Sequence, residues 1–93
     1  RAEIAVGKAH GSLAMGLGSR TLGNMAIERP HFVAAVTHAV GGALIPVPGG
    51  VLVKDGSGAL LGAVGISGDT SDNDELAAVA GIEAAGCKAD PGA

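Results

Sequence analysis

The chain has little that is bulky, little that is charged and almost no sulfur. Tryptophan and tyrosine are absent and Phe32 is the one aromatic residue among 93, so there is no aromatic platform on which nucleic-acid bases could stack. A net charge of −3 offers no basic face to a phosphate backbone either. The single cysteine, Cys87, excludes an internal disulfide and a cysteine-held metal cluster; its expected role is a small apolar filler near a helix end. No apolar run approaches the ~20 residues that a bilayer requires. The chain starts at Arg1 without an initiator methionine or a signal-like segment. The expectation is therefore that an N-terminal part lies outside this sequence, and that the protein is cytoplasmic.

What the chain has in quantity is glycine, 17 residues, within a composition that is 47% apolar. Ninety-three residues make one domain at most, since domains usually run to ~100–150. Residues 1–86 are read as that domain and 87–93 as a flexible tail. With so little side-chain volume the core must be thin, and close backbone packing has to replace interdigitation of large side chains.

Residues 2–17 read as a helix, with Ala2, Ala5, Val6, Ala9, Leu13 and Leu17 on one face. Ile4, Lys8 and Met15 fall on a second face, and Gly7, Gly11 and Ala14 form a small-residue seam between them. Two apolar faces and a seam predict a helix sandwiched between neighbours, with a subunit partner on one side and at least a dimer as the result. Ser19 is placed to cap a second helix reaching Glu28. Pro30 suits the first turn of a third, over 30–40, closed by Gly41-Gly42.

The stretch "PVPGGVLVKDGSGALLGAVGISGDTSDNDELAA", residues 46–78, poses the central question. Its glycines are either turns or places where something approaches the backbone closely. "ALIPVPGG" predicts a short edge strand, because two prolines cannot donate to a ladder. "VLVK" predicts a second strand, and "DGSG" a hairpin turn. Residues 59–67 predict a third strand, with Leu60, Val64 and Ile66 on one face and Leu61, Ala63, Gly65 and Ser67 on the other. Both faces are apolar or small, so both should be covered, and Gly62 and Gly65 should let a helix lie close. Ser71-Asp72-Asn73-Asp74 has the spacing of a capping box before a helix carrying Leu76, Val79 and Ile82 and ending at Gly86.

Candidate chemistry is sparse. His10, His31 and His38 are either surface or structural residues or ligands of a metal or haem; His31 and His38 are seven apart, too far for one first-shell pair. Asp69, Asp72, Asp74 and Glu75 suit a helix N-terminus better than a calcium loop. The turn Gly65-Ile66-Ser67-Gly68 could present backbone N–H groups to a small carboxylate. No G-x-S-x-G and no lysine-bearing phosphate loop is present. Lys8, if buried, could bind an anion or act as a base; otherwise its stem covers apolar surface.

The order of elements, together with Lys8-Ala9, Ser19-Arg20, Pro48-Gly49-Gly50-Val51, Asp55-Gly56, Gly62-Ala63-Val64-Gly65 and Ser67-Gly68, resembles the GlcG/HbpS-like family, often called the haem-degrading domain family. That family includes the C-terminal domain of some corrinoid adenosyltransferases. The resemblance spans about residues 3–83. It implies an α/β (α+β) fold of profilin-like, three-layer α/β/α layout around a mostly antiparallel five-stranded sheet, of which this sequence holds the C-terminal part. Members usually begin with another helix and a β-hairpin bearing "VD-x-x-G" and "R-M-D-G-A"-like stretches; Arg1-Ala2 would be the remnant of the second.

The resemblance favours a small-ligand-binding accessory protein, with haem or a related tetrapyrrole as the ligand class. The expected pocket is shallow, lined by Pro48, Gly49, Gly50 and the first helix, with Lys8, Arg20, His38 and Ser67 as further contacts. Iron ligation would fall to His38 or His10, or to an oxygen such as that of Thr37. A second reading is an enzyme acting on a small organic acid, with Lys8, His10 or His38 as acid or base and Arg20 holding the carboxylate. A third is a structural subunit of an assembly. Partners are then a missing N-terminal fragment or companion subunit, in a homo- or hetero-oligomer that completes the sheet.

Overall fold

The glycine-rich stretch folds as a hairpin, and a helix lies directly on its glycines. The computed structural model describes residues 2–41 and 44–92. Along these residues run α1 (Ala2–Met15), α2 (Ser19–Glu28), α3 (Pro30–Ala39), β1 (Gly50–Lys54), β2 (Leu60–Gly65), α4 (Ser71–Ala84) and β3 (Lys88–Asp90). The strands form one antiparallel sheet in the order β2-β1-β3, with β1 central. The fold class is mixed α/β, with α1 on one face of the sheet and α4 on the other.

The pleat explains this layering. Val51 pairs with Val64 and turns to the α4 side, where it meets Ala78 and Ile82 and is flanked by Val53, Ile66, Cys87 and Ala89. Gly50 pairs with Gly65 and turns to the α1 side. A Cβ at Gly50 would lie 2.6 Å from the Ser12 hydroxyl, and one at Gly65 would overlap the Ala5 carbonyl and crowd the Ala9 N–H. The glycines at this pair therefore serve close helix approach, which answers the question the sequence posed. Leu22, Val51 and Leu52 are fully buried, each contributing roughly 1.5–3 kcal/mol by leaving water.

Several local expectations shift. "ALIPVPGG" is not a strand: from Leu44 to Pro48 the backbone is irregular (Ala43 lies outside the described residues). With Pro46 and Pro48 unable to donate, Val47 N–H instead turns back to the Ile45 carbonyl at 2.9 Å. The side chains of Leu44 and Ile45 fill the space over Gly11 and Gly7. The seam of α1 is thus occupied by this chain itself, and the subunit contact expected there is taken by an internal one. Ser19 does not cap α2. Gly18 holds the cap position, and the buried Ser19 Oγ accepts from Gly50 N–H at 2.7 Å, satisfying the first donor of β1.

The capping frame of α4 moves by one residue. Thr70 is the N-cap, its Oγ1 accepting from Asn73 N–H at 3.2 Å, because Asp74 is used elsewhere. α4 closes as read, with Gly86 at φ +84 and hydrogen bonds from Gly86 to Glu83 and from Cys87 to Ile82, the pattern of a left-handed glycine C-cap. The hairpin turn also forms as read: Asp55 Oδ1 accepts from Ser57 N–H, Ser57 Oγ and Ala59 N–H at 2.7–2.9 Å. These bonds, the Ser57 hydroxyl first, hold the Asp55 carboxyl below its ordinary range.

β2 is covered over its second half only. Leu60 and Leu61 remain 45% and 61% exposed, and nothing stands within 4 Å of a Cβ at Gly62. The segment read as a flexible tail carries β3, which pairs Lys88, Ala89 and Asp90 with Lys54, Val53 and Leu52. Its ends are fixed by Lys54 Nζ donating to Asp90 at 2.8 Å and by the Pro91 carbonyl accepting from Arg20 N–H at 3.3 Å.

Candidate functional site

Most of the polar residues singled out from the sequence converge where β1 begins, β2 ends and α4 starts. Lys8, in α1, is 2% exposed. Its side chain runs past Gly49, whose missing Cβ would stand 2.7 Å from Nζ. It emerges at the sheet end, where Nζ donates to the Ile66 carbonyl at 2.8 Å and to Asp74 Oδ2 at 3.2 Å. Asp74, 3% exposed, accepts from Asp69 N–H on its other oxygen at 3.0 Å. Burial pushes the Asp74 carboxyl up, but the Lys8 ammonium and the backbone N–H groups of Asp69 and Gly68 outweigh it, and the net displacement is downward.

This arrangement changes what the candidates can do. The turn at 65–68 has backbone N–H groups that could meet a small external carboxylate; those of Gly68 and Asp69 instead serve the protein's own Asp74. Gly49 and Gly50 are buried under Lys8 and Ser12, so α1 covers their backbone. Ser67 is half-buried in the turn after β2. Arg20, at the start of α2, donates from Nε and Nη2 to Glu75 at 2.9 and 3.2 Å and from Nη2 to Asp72. Those carboxylates, Glu75 before Asp72, hold its charge on.

Beside Arg20 opens a groove of about 410 Å³, walled by Gly23, Asn24 and Ile27 of α2 and by Pro46, Val47 and Pro48. Its walls are apolar: Ile27 is 83% exposed. Of the residues proposed to line a pocket, Arg20 and Pro48 are brought together here. Ile27, Asn24 and Val47 were not foreseen, and only an isoleucine late in a short polar helix could have hinted at them. A second, smaller cavity of about 250 Å³ runs along α4 over the other sheet face, between Gly81 and Ala85 and the side chains of Val53, Val64 and Ile66.

The histidines stand apart from both cavities. His10 Nε2 lies 2.7 Å from the Val40 carbonyl; a carbonyl only accepts, so Nε2 is the donor in this bond. His31 and His38 are exposed on α3, and their spacing sets them on one outward face. Thr37 Oγ1 is bonded back to the Val33 carbonyl at 2.8 Å. Among the described residues no group of three or more His, Cys, Asp or Glu side chains is placed to hold a metal ion, and no helix is long and apolar enough to cross a membrane.

No curated protein and no solved structure matches the chain. A family model does, that of the haem-degrading proteins of HbpS-like type, over residues 1–83. The match takes in α1 to α3, the glycine-floored hairpin and nearly all of α4. The chain belongs to the HbpS-like haem-degrading protein family.

Proposed function

We propose that the protein is a small-ligand-binding accessory protein whose ligand is a haem or a related tetrapyrrole, seated at the groove beside Arg20. The family supports the ligand class. The observation that carries the site is the apolar groove of about 410 Å³ between α2 and Pro46–Pro48, within the ~300–1,000 Å³ usual for small-molecule sites. Its apolar side chains, Ile27, Val47 and the two prolines, would suit the hydrocarbon body of a porphyrin. The lining contains no imidazole, so a nitrogen ligand to the iron would have to come from a residue outside it, such as His31 or His38, both exposed on α3. Bound haem would supply an iron centre and a strong visible absorption; the chain's own residues supply the apolar walls.

The organic-acid enzyme is less well supported. Lys8 is sealed against Asp74 and Ile66, and Arg20 already carries two carboxylates. The assembly-subunit reading has its own observation, a set of large apolar side chains left exposed on α1 and β2.

Hemin titration tests the proposal. A shifted Soret band that saturates is expected, weakened at least tenfold in Ile27→Glu and Val47→Glu with thermal stability unchanged. Absence of any spectral change in the wild-type chain overturns the ligand class. Wild-type binding by both groove variants keeps the ligand and moves the site.

A further inference from the structure

The groove beside Arg20 has two unlike ends. Arg20, Gly23, Asn24 and Ile27 of its lining fall three, four and seven residues apart, a single row along α2 about 10 Å long. Ser19 Oγ accepts from Gly50 N–H at 2.7 Å, and a Cβ at Gly23 would stand 2.7 Å from the Pro46 carbonyl oxygen. The segment 46–50 therefore runs beside α2 in the opposite sense, and the two meet at the floor of the groove. Pro46 and Pro48 have no N–H to offer. Among the described residues the lining holds one charged side chain, Arg20, where α2 begins. Ile27, 83% exposed, marks the apolar end.

The two carboxylates on Arg20 are held unequally. Glu75 takes Nε and Nη2 at 2.9 and 3.2 Å, and its side chain is 13% exposed. That two-pronged pairing fixes the plane of the guanidinium. Asp72 meets Nη2 through one oxygen, and its side chain is 74% exposed. An ion pair so open to water adds little to stability, and Asp72 can turn into solvent without stranding a buried charge. A guanidinium carries five N–H donors, so Arg20 can keep Glu75 on one edge and take another carboxylate in place of Asp72.

We infer that Arg20 selects the ligand of this groove by its carboxylate: the ligand's apolar body lies toward Ile27, its carboxylate binds the Arg20 guanidinium, and Asp72 is the exchangeable counter-ion that gives way. The inference rests on the tetrapyrrole reading and narrows it to tetrapyrroles whose acid side chains are free. A free carboxylate gains a charge-assisted bond to the guanidinium, whereas an ester presents only neutral acceptors. Asp72 sharpens the choice, because its charge repels an anion that does not engage Arg20 directly.

Parallel titrations with hemin and with hemin dimethyl ester test this, since the ester keeps the iron and the ring and blocks both carboxylates. The wild-type chain should bind hemin roughly tenfold more tightly than the ester, the weight of one hydrogen bond to a charged group. Arg20→Gln should bring hemin down to the affinity of the ester. Asp72→Asn removes the competing charge and should widen the preference about threefold; it leaves the Arg20–Glu75 pair in place, so it tests the inference even if Arg20→Gln unfolds the chain. Equal binding of hemin and ester by the wild type overturns the inference and leaves the haem reading standing. A preference that Asp72→Asn does not widen overturns the exchange at Arg20. Binding of neither compound removes the haem reading and the inference with it.

Discussion

Lys8 and Asp74 meet 3.2 Å apart, both almost wholly buried, across 66 residues of sequence and from opposite faces of the sheet. The lysine reaches its partner only because the chain beside it is Gly49. The pair ties the α1 layer to the α4 layer at the strand ends. Removing one member of a buried pair strands the other. Lys8→Met should accordingly lower the denaturation midpoint strongly, and Asp74→Asn less, because an amide still accepts from Asp69 N–H. The double variant should recover part of the Lys8→Met loss. Simple addition of the two single losses in a denaturant titration would show that the pair is not coupled.

The same pair gives a pH signature. The folded Asp74 carboxyl lies below its ordinary value, so its contribution is present above ~3.9, the usual aspartate value, and is lost as pH falls through the folded value. Asp55 and Asp90 are displaced in the same direction, so the whole protein loses stability in acid. The difference between wild type and Asp74→Asn isolates one group. Melting temperatures should converge as the pH is lowered from about 5 toward 2; a constant gap would remove Asp74 from the acid response.

The two glycines of β2 that look alike in sequence should respond oppositely. At Gly65 an added Cβ strikes the Ala5 carbonyl, and α1 must lift; Gly65→Ala should cost about 1–3 kcal/mol, the usual range for overpacking. At Gly62 nothing stands within 4 Å, and Gly62→Ala should stabilise by about 0.5–1 kcal/mol through the chain entropy of the unfolded state. Equal effects in chemical denaturation would contradict the placement of α1.

The N-cap of α4 offers a one-residue test. Thr70 Oγ1 accepts from Asn73 N–H, so Thr70→Ala should cost about 1 kcal/mol. Ser71→Ala, at the position the sequence pattern favours, should change stability far less. A reversed order would restore the capping-box frame.

Local rules made much of the fold legible. Helix starts at Pro30 and near Ser71, the Asp55 turn, the alternation around Val51 and the Gly86 stop are set by neighbours within a turn or two. What escaped depends on contacts distant in sequence. Nothing near Ser71 announces that Asp74 belongs to Lys8, and so nothing shifts the cap to Thr70. Nothing near Gly7 and Gly11 says that Leu44 and Ile45 will cover them, which sends Val6 and Leu13 outward. The site was legible at Arg20 and Pro48. Its other walls, Ile27 and Val47, come together only when α2 folds back over the irregular segment 44–48.

The residues after Gly86 give the sharpest contrast between sequence and fold. "CKADPGA" has neither length nor hydrophobicity to suggest a strand, yet Lys88–Asp90 supplies one edge of the sheet. Ala89 and Cys87 close the core beside Val51 and Ile82, the Lys54–Asp90 link spans β1 and β3, and Pro91 holds the start of α2 through Arg20 N–H. Ending the chain at Gly86 therefore removes backbone partners from β1 as well as side chains from the core. The truncated protein should melt at a clearly lower temperature, with faster amide exchange at Leu52 and Lys54 in β1, which face β3, and at Arg20 in α2. Ala89→Asp, which buries a charge against the same core without shortening the chain, should act in the same direction. A truncated chain that melts and exchanges like the intact one would show that β3 contributes nothing to the sheet.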